Sequence, residues 1–298
     1  MRHTVFTGAG TAIITPFDAR GEIDYDAYGR LIDFQLAEGI DAIVAAGTTG
    51  EGSTLTDAEY EQLIAFSVKR INGKVPLVAG SGSNDTAHAI ERTKTACAAG
   101  ADAVLLVTPY YNKTTQRGLI ASFSAIADAS TVPCILYNVP SRTGLNMLPE
   151  TLAELAKHER IAAVKEACGN LSQVAKERLL CGENLDIYSG CDDQIVPTLS
   201  LGGKGIISVV SNILPDRTAE ICRRFFRGDV AGAAALQLDM LELMNQLMIE
   251  TNPIPVKAAC AALGYGANKL RLPLVEMDEK YRPKLTELMR KAGLEAKA

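Results

Sequence analysis

The residue most able to do chemistry in this chain is a lysine in an apolar run, Lys165 within "RIAAVKEACGN" (160–170). Charged lysine is almost never fully buried unless it is paired. A desolvated lysine loses its preference for the charged form and becomes an amine nucleophile. The competing reading is a lysine at the end of an edge strand, extended into solvent or paired with Glu166. Other candidates sit at comparable places. Tyr137 ends the apolar run "CILYNVP", where its hydroxyl could hydrogen-bond an atom attached to Lys165 and pass protons, or be satisfied within the core. "GTTGEGS" (47–53) offers small residues, backbone N–H groups and the hydroxyls of Thr48 and Thr49 to a carboxylate, or is simply a tight turn. "SRTG" (141–144) adds Arg142, whose planar fork suits a carboxylate, although a loop arginine is commonly solvated. "TPYYN" (108–112) places two tyrosines side by side, which point oppositely if the segment is extended.

Metal and triad chemistry lack their parts. The three histidines, His3, His88 and His158, have no ligand spacing, and none ends an apolar run. The seven cysteines (97, 134, 168, 181, 191, 222, 260) are scattered and form no CxxC pair, which predicts reduced thiols rather than a disulfide framework. Net charge is −5, from 30 basic and 35 acidic residues without long single-sign runs, so no nucleic-acid or polybasic membrane surface is expected. The N-terminal stretch lacks a signal-peptide pattern, and no segment reaches the roughly 20 apolar residues of a membrane span. The expected protein is cytoplasmic.

Those candidates need a scaffold that gathers strand ends. Eight short runs recur: 10–17, 41–48, 75–82, 102–109, 132–140, 161–167, 185–190 and 204–212. They are continuously apolar, as parallel strands covered on both faces should be. Amphipathic stretches lie between them, such as 26–39 and 85–100, and Gly39, Gly73 and Gly100 mark helix stops. Eight strand–helix units in about 225 residues predict an α/β fold, a (β/α)8 TIM barrel. A doubly wound sheet would show a GxGxxG fingerprint after its first strand, and none is present. "GSGSND" (80–85) reads as a turn, and "LGGKGI" (201–206) as the loop leading into the last strand. The barrel spans 1–227, and residues 228–298 form a C-terminal helical extension: a long helix, a break at "TNPIPVK" (251–257), and two shorter helices.

In a barrel, chemistry belongs at the C-terminal strand ends. Lys74 and Lys204 lie at strand starts and Lys113 in a loop, so Lys165 is the lysine near a strand exit. Alternation puts Ile161, Ala163 and Lys165 on one face, and Ala162, Val164 and Glu166 on the other.

"GTTGE", "VTPYYNK", "ILYNVPSRTG", "VKEACGN" and "GGKGIISV" occur in an order and separation that resemble the pyruvate-dependent class I aldolases of the dihydrodipicolinate synthase / N-acetylneuraminate lyase superfamily. The resemblance runs from about residue 8 to the C-terminus, and "GTTGE" with "NVPSRTG" is most similar to its dihydrodipicolinate synthase branch. It implies that Lys165 forms a Schiff base with pyruvate and that Thr48 and Thr49 bind the pyruvate carboxylate. Thr48 would link Tyr137 to Tyr111 in a proton relay, with Tyr111 donated to a neighbouring subunit's site. Arg142 would hold L-aspartate 4-semialdehyde, and Gly190 and Ile207 would line the pocket. The implied activity is condensation of those two substrates in the diaminopimelate route to lysine, without metal or cofactor, by a homotetramer built as a dimer of dimers. A sialate or keto-deoxy-sugar lyase, or a non-catalytic ligand-sensing barrel, are the other readings. Lysine-sensitive members use positions matching Asn84, Tyr110 and Ser53, a Glu on the following helix, and His or Glu after "GTTGE". Here those last positions hold His88, Asp57 and Tyr60, so insensitivity to millimolar lysine is expected.

Overall fold

A computed structural model describes residues 4–295; His3 lies outside them. The eight apolar runs are the eight strands: β1 (Gly8–Ala12), β2 (Ala42–Ala45), β3 (Leu77–Gly80), β4 (Ala103–Val107), β5 (Cys134–Asn138), β6 (Ile161–Glu166), β7 (Asp186–Ser189) and β8 (Gly205–Ser208). They form a closed barrel in sequence order. β8 returns to pair in parallel with β1, Gly8 opposite Gly205 and Thr11 opposite Ser208. The first strand begins and ends earlier than the apolar run suggests, because Ile13 to Phe17 continue as buried loop rather than ladder.

The continuous hydrophobicity of the strands has two destinations. One cluster fills the barrel interior and includes Ala12, Val44, Val78, Leu105, Ile135, Tyr137, Ala163, Tyr188 and Ile207. The other packs strand exteriors such as Ile43, Val104, Leu136 and Val164 against the surrounding helices. Phe6 fills the interior against Tyr188, with ring centroids 4.3 Å apart, and Tyr188 Oη donates to the Phe6 carbonyl at 2.6 Å. The interior is therefore packed rather than a pore.

Helices start and stop where the sequence provides caps. Asp24, Asp85 and Asn170 accept backbone N–H groups at helix starts, and Thr56 with Glu59 forms a reciprocal capping box. Gly100 ends the helix Thr86–Ala99 in the left-handed conformation. Beyond Gly228 the described residues form three α-helices, Val230–Gln246, Ile254–Ala262 and Arg282–Lys291, the last preceded by a single 3-10 turn, Glu279–Tyr281. Their buried faces, including Met240, Leu243, Met244, Val256, Leu285 and Met289, belong to the same cluster that covers the strands. None of the described helices is long and apolar enough to cross a membrane.

One expectation about side-chain direction is corrected. The β5–β6 register shifts, with Cys134 opposite Ile161 and Ile135 opposite Ala163, so Ala162 is an extra residue. That bulge turns Ile161 outward into the helix-facing cluster while Ala163 stays inside. Simple alternation fails across a bulge, and Lys165 shares its face with Ala163 but not with Ile161.

Candidate active site

Lys165 is one residue from the exit of β6, paired with Tyr137 on β5 and Tyr188 on β7. It is 5% exposed. Burial brings its pKa down to about 8, against the opposing pull of Asp192 and the Cys191 thiol. Roughly a tenth of such an amine is neutral at pH 7, against less than about a thousandth for a lysine in water. Its Nζ lies 4.4 Å from the centroid of the Tyr137 ring. Among the described residues no carboxylate stands within ion-pairing distance of it. The reading as an exposed strand end or a Glu166 pair is thereby set aside.

Glu166 points the other way and does a different job. Its carboxylate accepts from Asn138 Nδ2 at 3.0 and 3.1 Å and from the Cys168 N–H at 2.7 Å. These bonds tie the exits of β5 and β6 together immediately behind Tyr137 and Lys165. Glu177, fully buried on the helix Leu171–Cys181, lies against Glu166 and accepts from Gln173 at 2.8 Å through Oε1. Its Oε2 meets no donor. Burial and the Glu166 charge raise Glu177 well above the usual carboxylate range, so Glu177 keeps its proton at neutral pH.

Tyr137 is buried, which pushes its phenol up to about 12 against the lowering effect of Arg142. Thr48, Tyr137, Arg142 and Tyr110 line one cavity of about 410 Å³ at the mouth. Gly190 is required by space: a Cβ there would come 2.7 Å from the Ala167 Cβ and 3.1 Å from Lys165 Cε. Ile207 lies in the interior cluster with Ala163 and Tyr137. The loop after β2 is equally tight. A Cβ on Gly52 would come 2.0 Å from the Ala46 carbonyl, and Ala46 and Glu51 take positive φ.

Of the sequence-derived residues, Thr48, Tyr137 and Arg142 line the cavity, while Lys165, Gly190 and Ile207 lie beside Tyr137 or one another in the barrel interior. Tyr111 is 91% exposed with φ 69° and does not line this chain's cavity, whereas its neighbour Tyr110 does. Thr49 is buried, with its hydroxyl accepting from Asn252 Nδ2 at 2.9 Å.

That last bond reveals residues that sequence reasoning missed. Asn252, in the "TNPIPVK" break, also accepts from Arg142 Nη2 on its carbonyl at 2.9 Å. One residue of the C-terminal segment therefore holds both Thr49 and Arg142. Lys257, five residues on, is a second buried lysine, and its Nζ meets Glu51 Oε1 at 2.5 Å. Glu51 Oε2 accepts from the Arg271 N–H at 3.0 Å, and the Lys257 Nζ lies 4.1 Å from the Phe17 ring centroid. Asp192 is buried near Lys165, with Oδ2 accepting from Val209 and Val210 N–H at 3.1 and 2.9 Å. Local patterns give no hint of these contacts. Only the functional logic of a carboxylate pocket needing support could have prompted a search for them.

A desolvated amine beside a phenol, under a mouth with an arginine and threonines, can add to the carbonyl of a small carboxylate-bearing substrate. Comparisons with known proteins agree with that chemistry. The sequence model of the dihydrodipicolinate synthetase family matches residues 5–292. A 4-hydroxy-tetrahydrodipicolinate synthase of Thermoanaerobacter sp. is 50% identical over 97% of this chain and 98% of its own. Its counterpart from Caldicellulosiruptor bescii is 51% identical over 99% of each. The crystal structure of dihydrodipicolinate synthase from Aquifex aeolicus superposes with a TM-score of 0.96 at 42% identity, covering 98% of this chain and 100% of that one. With the family model covering nearly the whole chain and relatives matching it from end to end in sequence and fold, this chain belongs to the dihydrodipicolinate synthetase family.

Proposed function

We propose that the protein is a 4-hydroxy-tetrahydrodipicolinate synthase, condensing pyruvate with L-aspartate 4-semialdehyde in the diaminopimelate route to lysine. The observation that carries the reading is the desolvated, unpaired Lys165 beside Tyr137, in a chain about 50% identical to relatives of that name. The neutral Lys165 amine attacks the pyruvate ketone, and loss of water gives a cationic imine. That cation acidifies the methyl group, which loses a proton to form an enamine, and the enamine carbon attacks the aldehyde.

The polar groups take roles that fit their placement. Thr48 and Thr49 receive the pyruvate carboxylate, with Thr49 oriented by Asn252. Tyr137, a phenol already neutral at ordinary pH and pushed further up by burial, can donate a proton to the departing hydroxyl and take one back. Arg142, anchored by one nitrogen to the Asn252 carbonyl, keeps donors for the semialdehyde carboxylate. Gly190 and Ile207 shape the wall. Tyr111, fully displayed on a strained loop, completes the Thr48–Tyr137 relay of a neighbouring subunit. The enzyme accordingly works as an oligomer, a dimer of dimers, in the cytoplasm, with the barrel of residues 1–227 carrying the chemistry and 228–298 bracing its mouth.

A coupled assay offering pyruvate with either aspartate semialdehyde or an N-acetylated amino sugar tests the substrate. Turnover should require the semialdehyde. Turnover only with the sugar would replace this reading by that of a sialate lyase.

A further inference from the structure

Behind the exits of β5 and β6 lies a buried polar network that the proposed mechanism does not use. Register sets Tyr137 opposite Lys165 and, one residue on, Asn138 opposite Glu166. Asn138 is fully buried. Its Nδ2 donates to both Glu166 oxygens and to Asn146 Oδ1 at 2.8 Å, and its Oδ1 accepts from the Met147 N–H at 2.9 Å. Gln173 closes the circuit. Its Nε2 donates to the Met147 carbonyl at 3.1 Å and to Glu177 Oε1 at 2.8 Å, while its Oε1 accepts from Asn146 Nδ2 at 2.9 Å. Asn146 and Met147 lie just past the short helix Pro140–Thr143 that carries Arg142. One network therefore braces the segments that bear Lys165, Tyr137 and Arg142.

Glu177 is the titratable link in that network. Its side chain is fully buried, it meets Glu166 carboxyl to carboxyl, and its Oε2 has no other donor. Two buried carboxylates cannot meet without a hydrogen between them, so the Glu177 carboxyl O–H is the donor. The other donors named here are amide or backbone N–H groups that ordinary pH does not remove. Further titratable neighbours do not take over its role. Cys168 after β6 and Cys181 on the same helix are thiols pushed up by burial, to about 12 and about 11. Of the helices packed alongside, Ile195–Ser200 carries no titratable side chain. On Pro149–Leu155, Glu150 and Glu154 are largely exposed and paired with Lys176 and Lys157.

We propose that Glu177 is a positioning residue for the Schiff-base chemistry: its neutral carboxyl, set against Glu166, keeps the exits of β5 and β6 at the separation that Lys165 and Tyr137 need, and its ionisation drives them apart. The inference rests on the reading of Lys165 as the imine-forming residue. While Glu177 keeps its proton the network is closed. Once it ionises, two buried like charges oppose each other across the network that ties the two exits. Small displacements of reacting groups lower rates steeply. Turnover therefore rises as Lys165 loses its proton through about pH 8, and falls at higher pH as Glu177 loses its own.

The test is the pH profile of kcat for the full-length enzyme with pyruvate and aspartate semialdehyde, compared among the parent, Glu177→Gln and Glu177→Met. Between about pH 8 and about pH 10 the parent should lose about tenfold more turnover than either variant, and recover it on return to pH 8. Glu177→Met serves as the second non-ionising variant should Glu177→Gln fold poorly. Infrared difference spectroscopy should show a buried protonated-carboxyl band in the parent that is absent from Glu177→Gln and fades over the same pH interval. Equal alkaline losses in the parent and both variants would overturn the inference, as would a Glu177 band that persists while turnover falls. Borohydride reduction of pyruvate onto Lys165 at pH 8 separates the two levels of the account. An adduct on Lys165 with matching pH profiles would overturn this inference alone, whereas no adduct in the parent would overturn the Schiff-base reading and this inference with it.

Discussion

Two of the described lysines are buried, and they have opposite fates. Lys165 sits at the barrel's exit with an aromatic ring for company and no carboxylate in reach, and its pKa falls to about 8. Lys257 sits under the loop after β2, its side chain wholly buried, with Glu51 at 2.5 Å. Burial lowers Lys257 as well, but the Glu51 charge and hydrogen bond oppose it. An ammonium held by a carboxylate has no lone pair to offer and serves as a strut. An ammonium desolvated without a partner gives up its proton and becomes a nucleophile. Burial alone does not make a lysine reactive; the missing counterion does.

The largest expected effect breaks the comparison at one side. Lys165→Ala should lower turnover at least about a thousandfold, since the covalent intermediate is lost, while thermal unfolding shifts little or upward. Lys257→Met should show the reverse pattern: chemistry on Lys165 persists, but stability falls by roughly 3–5 kcal/mol because Glu51 is left buried and alone. The double variant Lys257→Met with Glu51→Gln should recover part of that loss. Equal damage to Glu51→Gln and the double variant would contradict the strut role. Paired activity and denaturant-unfolding measurements separate the two.

A smaller effect sharpens the link between the regions. Asn252 couples the C-terminal segment to Thr49 through its amide and to Arg142 through its carbonyl. Asn252→Ala removes only the amide, one hydrogen bond of about 1 kcal/mol net. It should therefore raise the pyruvate KM several-fold and leave the semialdehyde KM nearly unchanged. Arg142→Ala should do the converse, chiefly raising the semialdehyde KM. Steady-state kinetics with each substrate varied would expose a swapped pattern.

The smallest effect concerns the protonated carboxyl of Glu177 behind β6. Glu177 stays protonated in the folded protein at pH values where the unfolded chain has already released that proton. Folding stability therefore declines as pH rises above the ordinary glutamate value of 4.5 toward the raised folded value. Glu177→Gln keeps a donor facing Glu166 and cannot ionise, so stability near pH 8 should rise relative to the parent, and the two should converge near pH 4. Urea unfolding at both pH values checks the sign, and a parent that gains stability over that range would refute it.

Much of this architecture was legible in the residues. Parallel strands covered on both faces must read as unbroken apolar runs, so all eight could be found, and strand exits then selected Lys165, Tyr137 and Arg142. Ile161 was misplaced because a bulge at Ala162 breaks the two-residue period on which facing is judged. Glu51, Asn252 and Lys257 were invisible for another reason. Their partners are 203 and 206 residues apart in the chain, and neither periodicity nor local motif records such contacts. "TNPIPVK" looked like a mere break between helices, yet it braces the mouth.

The central claim is that the lysine without a counterion, and not the lysine with one, carries the chemistry. Incubating the enzyme with pyruvate, reducing with borohydride and mapping the adduct by peptide mass spectrometry tests this directly. The account predicts one modified residue, Lys165, with labelling that rises as pH passes through about 8 and disappears in Lys165→Ala. Labelling of Lys257, or of an exposed lysine such as Lys113, with Lys165 unmodified would contradict it.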